Sequence, residues 1–135
     1  MKLIPIRKKQ QNEKGQTMAE FAIALPVFAL LLFGIVQIGI VFNNYLALTD
    51  AVRAGARTAA VSQHAADPEG VTEARVIDAA ANLDEDELDV TVDVDPDWTT
   101  GAEVTVTATY PYEINLLGLV VQSGDLTSTT VERVE

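Results

Sequence analysis

From Phe21 to Thr49 the chain runs 29 residues without a charged side chain, and its core reads FAIALPVFALLLFGIVQIGIVF. A bilayer's hydrocarbon core needs about 20 helical residues. The run therefore predicts a transmembrane helix, with the segment at about residues 21–43 inside the lipid. Beyond it, NNYLALTDAVRAGARTAAVSQ keeps good helix formers, and no proline intervenes between Pro26 and Pro68. A helix from Thr17 to Gln63 has 47 residues and extends ~70 Å at 1.5 Å per residue. That is about twice the membrane core, so roughly half of it projects beyond. Pro26 removes one helical hydrogen bond and predicts a kink, which membrane helices tolerate. Gly34 and Gly39 are five apart, which is not the GxxxG spacing of tight helix pairs.

The pattern changes after Gln63. Asp67 before Pro68 predicts an N-cap followed by proline in the first helical position, opening a second, shorter helix to about Asn82. Strict alternation follows. Leu88, Val90, Val92 and Val94 face one way, and Asp89, Thr91, Asp93 and Asp95 the other. After a turn over Pro96–Gly101, Val104, Val106, Ala108 and Tyr110 alternate with Thr105, Thr107 and Thr109. Both are half-buried strands, predicted to be antiparallel neighbours. Leu126–Val134 predicts a third, weaker strand. The apolar run Ile114–Val121 is too short to span a membrane and is expected to pack on the sheet or on a neighbour. The fold class is thus α+β: a long N-terminal membrane-spanning helix extending outward, a second short helix and an antiparallel sheet of about three strands. The expected domains are a leader at 1–15, the long helix at 16–63 and an α+β domain at 64–135.

Charge gives this layout a direction. Residues 1–15 carry Lys2, Arg7, Lys8, Lys9 and Lys14 against Glu13, a net of +4 within a chain of −11. The other 120 residues hold four arginines and no lysine against nineteen acids. Positive charge flanking a span stays on the cytoplasmic side, so the acidic domain is expected outside. So acidic a domain repels phosphate backbones, which excludes nucleic acid as a partner. Without cysteine there is no disulfide framework and no thiolate metal site. Asp93, Asp95 and Asp97 match the first ligands of an EF-hand, but Trp98 stands where that loop needs glycine and Val104 where it needs glutamate. The acidic cluster reads as a solvated face. His64 is the single histidine, and Trp98 reads as a packing anchor. No nucleophile–base constellation or phosphate loop is present. Neither a catalytic activity nor a cofactor, metal or small-molecule substrate is expected.

The front edge of the span is Gly15-Gln16-Thr17-Met18-Ala19-Glu20-Phe21. Thr17 to Glu20 fits the S/T-x-x-E capping box, in which two side chains satisfy orphan N–H groups at a helix start. A glutamate there also suits the helix dipole. The larger pattern joins a basic leader, a glycine, four residues, a glutamate, an aromatic and an apolar helix. It resembles the type IV pilin-like signal read by prepilin peptidases. More narrowly, GQTMAEFAIALP, the membrane run and then Ala51-Val52-Arg53-Ala54-Gly55-Ala56-Arg57 resemble the TadE-like pseudopilins of the tight adherence (Tad, or Flp) pilus system. The likeness covers about residues 14–62. It implies cleavage between Gly15 and Gln16, and a role for Glu20 in recognising the freed amino terminus. It marks Arg53, Gly55, Ala56 and Arg57 as family motif. It also implies a prepilin peptidase, a major Flp-type pilin and other pseudopilins as partners. Members of that family often carry an acid near Gln37, where this chain has a neutral amide.

Physical chemistry fits that implication. Glycine lets a protease approach the backbone closely. Cleavage leaves an ammonium at Gln16, four residues before Glu20 and on the same helical face. Opposite charges near lipid have strong reason to pair, within a chain or between neighbours. Ala47, Ala51, Gly55 and Ala59 recur every four residues. Such a stripe is either plain helix propensity or a close-packed seam against another helix. Gln37 is expected to bond to a neighbouring helix or to its own backbone. The functional expectation is a minor pilin, processed by a prepilin peptidase, in the cytoplasmic membrane or an extracellular pilus. The alternative is an unprocessed single-pass membrane protein displaying a small acidic accessory domain.

Overall fold

A computed structural model of the chain describes the backbone of residues 11–135 and the side chains from Gly15 onward. Most of the basic leader, residues 1–10, lies outside the described residues. The elements are α1 (Gln11–Val61), α2 (Pro68–Ala79), a short 3₁₀ turn (Glu85–Glu87), β1 (Asp89–Asp95), β2 (Glu103–Leu116) and β3 (Leu119–Arg133). The chain is α+β, with a long apolar N-terminal helix, a second short helix and a three-stranded antiparallel sheet in the order β1-β2-β3. It forms two compact units, one up to Val36 and the other Gln37–Glu135.

The second unit holds the core. Helix α2 starts as its sequence predicts: Asp67 Oδ1 accepts from Gly70 N at 2.9 Å and Pro68 opens the first turn. The helix stops at Ala79, short of Asn82, because Leu83 N turns back to Ala80 O at 2.8 Å and carries the Leu83 side chain into the core. From α1, Leu48, Ala51, Val52, Ala56 and Ala59 are buried. They meet Val76 of α2, Val104, Val106 and Ala108 of β2, and Val134. Full burial of each larger aliphatic is worth about 1.5–3 kcal/mol. Trp98 packs against this cluster from the β1–β2 loop, as an anchor.

In the sheet, Val90, Val92 and Val94 lie opposite Ala108, Val106 and Val104. The other face is polar: Thr107 and Thr129 hydroxyls meet at 3.0 Å across β2 and β3. Such cross-strand pairs contribute a few tenths of a kcal/mol, up to about 1. The outward aspartates Asp89, Asp93 and Asp95 keep the β1 edge charged, which discourages pairing with further strands.

Two expectations change. The third strand is the longest of the sheet, 15 residues from Leu119, where the sequence predicted a weaker one over Leu126–Val134. The run Ile114–Val121 does not lie on the sheet; it forms the end of the β2–β3 hairpin. Its turn is Leu117-Gly118, with φ of 53° and 89°, the positive values that a two-residue hairpin of type I′ demands. Asn115 Oδ1 braces it by accepting from Gly118 N at 2.9 Å. Apolar residues hid the turn, since Asn-Gly or Asp-Gly is its usual sequence signal.

The small-residue stripe has a partner within the chain. Ala51, Gly55 and Ala59 are buried and Ala47 is half-buried. A Cβ on Gly55 would lie 2.2 Å from Val76 Cγ2 and 3.5 Å from Thr72 O. Helix α2 can approach that closely only because position 55 has no side chain. Gly55→Ala is therefore expected to destabilise this unit by about 1–3 kcal/mol, the usual cost of overpacking. Val76→Ala on that background should recover part of the loss, read as the midpoint of thermal unfolding in detergent. Unchanged stability in Gly55→Ala would show that the contact is not a constraint.

Candidate functional site

The front of α1 presents the predicted processing region on an open surface. Every residue from Gly15 to Phe21 is exposed. Among the described residues, nothing lies within 4 Å of where a Cβ on Gly15 would stand. Gln16 Nε2 donates to Glu20 Oε1 at 3.0 Å, one helical turn apart. The two residues that the expected cut would link through a new amino terminus are thus already neighbours. Helix α1 begins by Gln11, so Thr17 lies inside the helix and does not stand at its start. The capping box needs a helix start at Thr17, and the uncut chain has none there. Helical residues 11–14 account for the difference, because they carry no proline or other breaker.

Behind Glu20, α1 is long and apolar enough to cross a membrane, and none of that apolar stretch is buried. Phe21, Phe28, Leu32 and Ile35 are each more than half exposed. The helix continues through Pro26. A helix apolar all round and uncovered by its own chain has the character of a membrane span or a signal segment.

Gln37 contributes an unforeseen contact. Its Nε2 donates to the backbone carbonyl of Asn115 at 3.1 Å. Its partner is the β2–β3 hairpin, where a neighbouring helix or its own backbone was expected. A carbonyl on an exposed ribbon edge needs a donor, and Gln37 supplies one. The partners are 78 residues apart, so local sequence gave no signal of the pairing.

The second half of the segment that carries the resemblance is structural. Ala51, Val52, Gly55 and Ala56 face the core, while Arg53 and Arg57 face solvent. Arg53 pairs with Asp50 at 3.7 Å, an exposed pair that adds little stability. Thus Arg53, Gly55, Ala56 and Arg57 divide by helix geometry into a wall and its wet face. They converge on no shared pocket. Gln63, not singled out from the sequence, joins three segments: Nε2 donates to Glu135 O, and Oε1 accepts from Thr100 Oγ1 at 3.2 Å. Among the acidic residues, Asp84 and Asp97 cap their own loops by accepting from Asp86 N and Trp98 N. Asp93 and Asp95 are exposed along β1. Among the described residues, no three acids or histidines converge as a metal-ion cage.

The family described as TadE-like protein matches residues 15–57. A TadE-like segment is therefore present from the exposed glycine to the second arginine of the motif. No curated protein and no solved structure matches the chain.

Proposed function

We propose that this chain is a TadE-like pseudopilin, a minor pilin processed by a prepilin peptidase and used in assembling a Tad/Flp-type pilus. The observation that carries the reading is the TadE-like match, which begins at Gly15, the residue in front of the proposed cut. In this reading α1 spans the cytoplasmic membrane once, with the basic leader inside and residues 64–135 outside. The peptidase cuts between Gly15 and Gln16. Glu20 then meets the new ammonium of its own chain, or that of a neighbouring pilin, close to the lipid boundary. The major Flp-type pilin and other pseudopilins are the partners it joins. The exposure of Gly15 and the Gln16–Glu20 hydrogen bond support this assignment. The alternative, an unprocessed single-pass protein displaying an acidic accessory domain, predicts an intact leader.

Processing is the first test. Sequencing the amino terminus of protein from cells with an active prepilin peptidase should find Gln16 first. Gly15→Ala should slow the cut modestly and a bulky residue there should abolish it, since close approach to the backbone is needed. An intact leader on the wild-type chain would sink the proposal and favour the accessory protein.

Topology is the second. Five basic residues lie on the leader side of the span against two, Arg53 and Arg57, close behind it, so protease added to spheroplasts should degrade the acidic domain. Full protection of that domain would reverse the orientation.

The third test separates two tasks of Glu20. Glutamine also fits a capping box, so Glu20→Gln should be silent if capping is all that matters. Pairing with an ammonium at the lipid boundary needs the charge, because an uncompensated cation there is expensive. Glu20→Gln should therefore be cleaved and inserted normally yet fail to form pili or co-purify with other pilins. Glu20→Asp should be intermediate. Wild-type assembly by the Gln variant would refute the pairing.

A further inference from the structure

The β2–β3 hairpin outruns the sheet. Strand β1 pairs with β2 only from Glu103 to Thr109. From Tyr110 to the turn, β2 has β3 as its single strand partner. The ribbon leaves the core at Val104, Val106 and Ala108, where it packs with Leu48–Ala59, and reaches Asn115 at Gln37. It therefore runs back along α1 toward the apolar run. Its end holds no charge between Glu113 and Asp125. Leu117 is 72% exposed, Leu119 74% and Val121 62%. An isolated ribbon with such an end has no reason to persist in water.

Three further observations say what covers it. Ile38, Ile40 and Phe42, within five residues of Gln37 on α1 and in the same unit, are exposed, so apolar helix surface adjoins the level at which the hairpin meets Gln37. Asn43 and Asn44 close the apolar run six residues past Gln37, ~9 Å along the helix. The hydrogen bond thus lies inside the run, at a depth comparable to the ~5–10 Å that interfacial elements reach. Lastly, Leu117 takes a φ of 53°, a region that disfavours bulky residues and favours Gly, Asn or Asp. The turn keeps an apolar tip at a position where a polar residue is conformationally easier.

We propose that the Ile114–Val121 hairpin end is a second membrane-contacting element, seated in the headgroup–acyl boundary of the outer leaflet beside α1. The inference rests on α1 spanning the membrane. Within it, Leu117, Leu119, Val120 and Val121 enter the acyl boundary, and Glu113 and Asp125 remain in water. The open edges of a two-stranded ribbon hold it at the boundary, since unpaired backbone groups are not tolerated deeper. At that boundary Gln37 satisfies the Asn115 carbonyl. The acidic domain is then held to the membrane at two places, the helix and the hairpin, which limits its rotation about α1.

The test uses site-directed nitroxides. The chain has no cysteine, so Phe28→Cys, Leu119→Cys and Thr127→Cys each give a single label on the full chain in phosphatidylcholine vesicles. Relaxation enhancement by oxygen, which concentrates in lipid, is compared with that by a water-soluble nickel chelate. The label at 119 should show an oxygen-to-nickel ratio severalfold above that at 127 and approaching that at 28. A ratio at 119 equal to that at 127, with 28 in lipid, overturns the hairpin inference alone. Low exposure of 119 to both reagents means that protein covers it, and also overturns it. A water-exposed label at 28 removes the span itself and both readings with it.

Discussion

The absent side chain at Gly55 sets how closely α2 lies against α1. With Val76 Cγ2 where a Cβ would intrude, the two helices meet backbone to side chain, and Thr72 is fully buried beside them. Its hydroxyl donates to Pro68 O at 2.8 Å, so the burial leaves no orphan polar group. That close approach brings Val76 into the same cluster as Val52 and Val106, and one layer of β2 then closes the core. A domain with so few large aliphatics depends on short distances between small residues. Dispersion falls steeply with a gap of even 0.5–1 Å.

The same helix meets two demands at different points along its sequence. Between Phe21 and Phe42 its residues, Gln37 apart, are apolar whichever way they face; from Ala47 on, one stripe is small and its opposite side carries Asp50, Arg53 and Arg57. A uniformly apolar helix suits lipid, whereas a striped one fixes a single neighbour. Gln37 lies in the first region but behaves like a member of the second, since its amide has a definite partner in the hairpin. A polar group inside an apolar run is tolerated when it is bonded. The neutral amide suits this place better than an acid, because a carbonyl accepts from an amide N–H and offers nothing to a carboxylate.

Much of this was legible in the sequence. The Asp67-Pro68 start of α2 is local capping chemistry, and the Val/Thr and Val/Asp alternations are local geometry. The stripe at Ala51, Gly55 and Ala59 was visible as a stripe, but its partner was not, because spacing says that something is close without saying what. The hairpin end was hidden for a different reason. Its turn uses Leu117 where the signal would be asparagine or aspartate, so a strand pair read as one apolar run. Gln37–Asn115 and the Gln63 bridges join residues far apart in the chain, and no periodicity encodes such pairs.

Under the proposed cut, the two readings of Glu20 belong to different stages of the chain. In the described chain α1 already includes residues 11–16, so the box from Thr17 to Glu20 has no helix start to cap. Glu20 meanwhile accepts from the Gln16 amide. Under the proposed cut, the helix loses its first five described residues and starts within a residue or two of Thr17. The first-turn N–H groups are then orphaned, and the box finds its donors. The same cut places an ammonium on Gln16, whose side chain already reaches Glu20. One carboxylate with two oxygens can accept from both, with charge complementarity favouring the ammonium. In that reading cleavage creates the groups that Glu20 is placed to satisfy, whereas in the described chain the glutamate accepts from the neutral Gln16 amide.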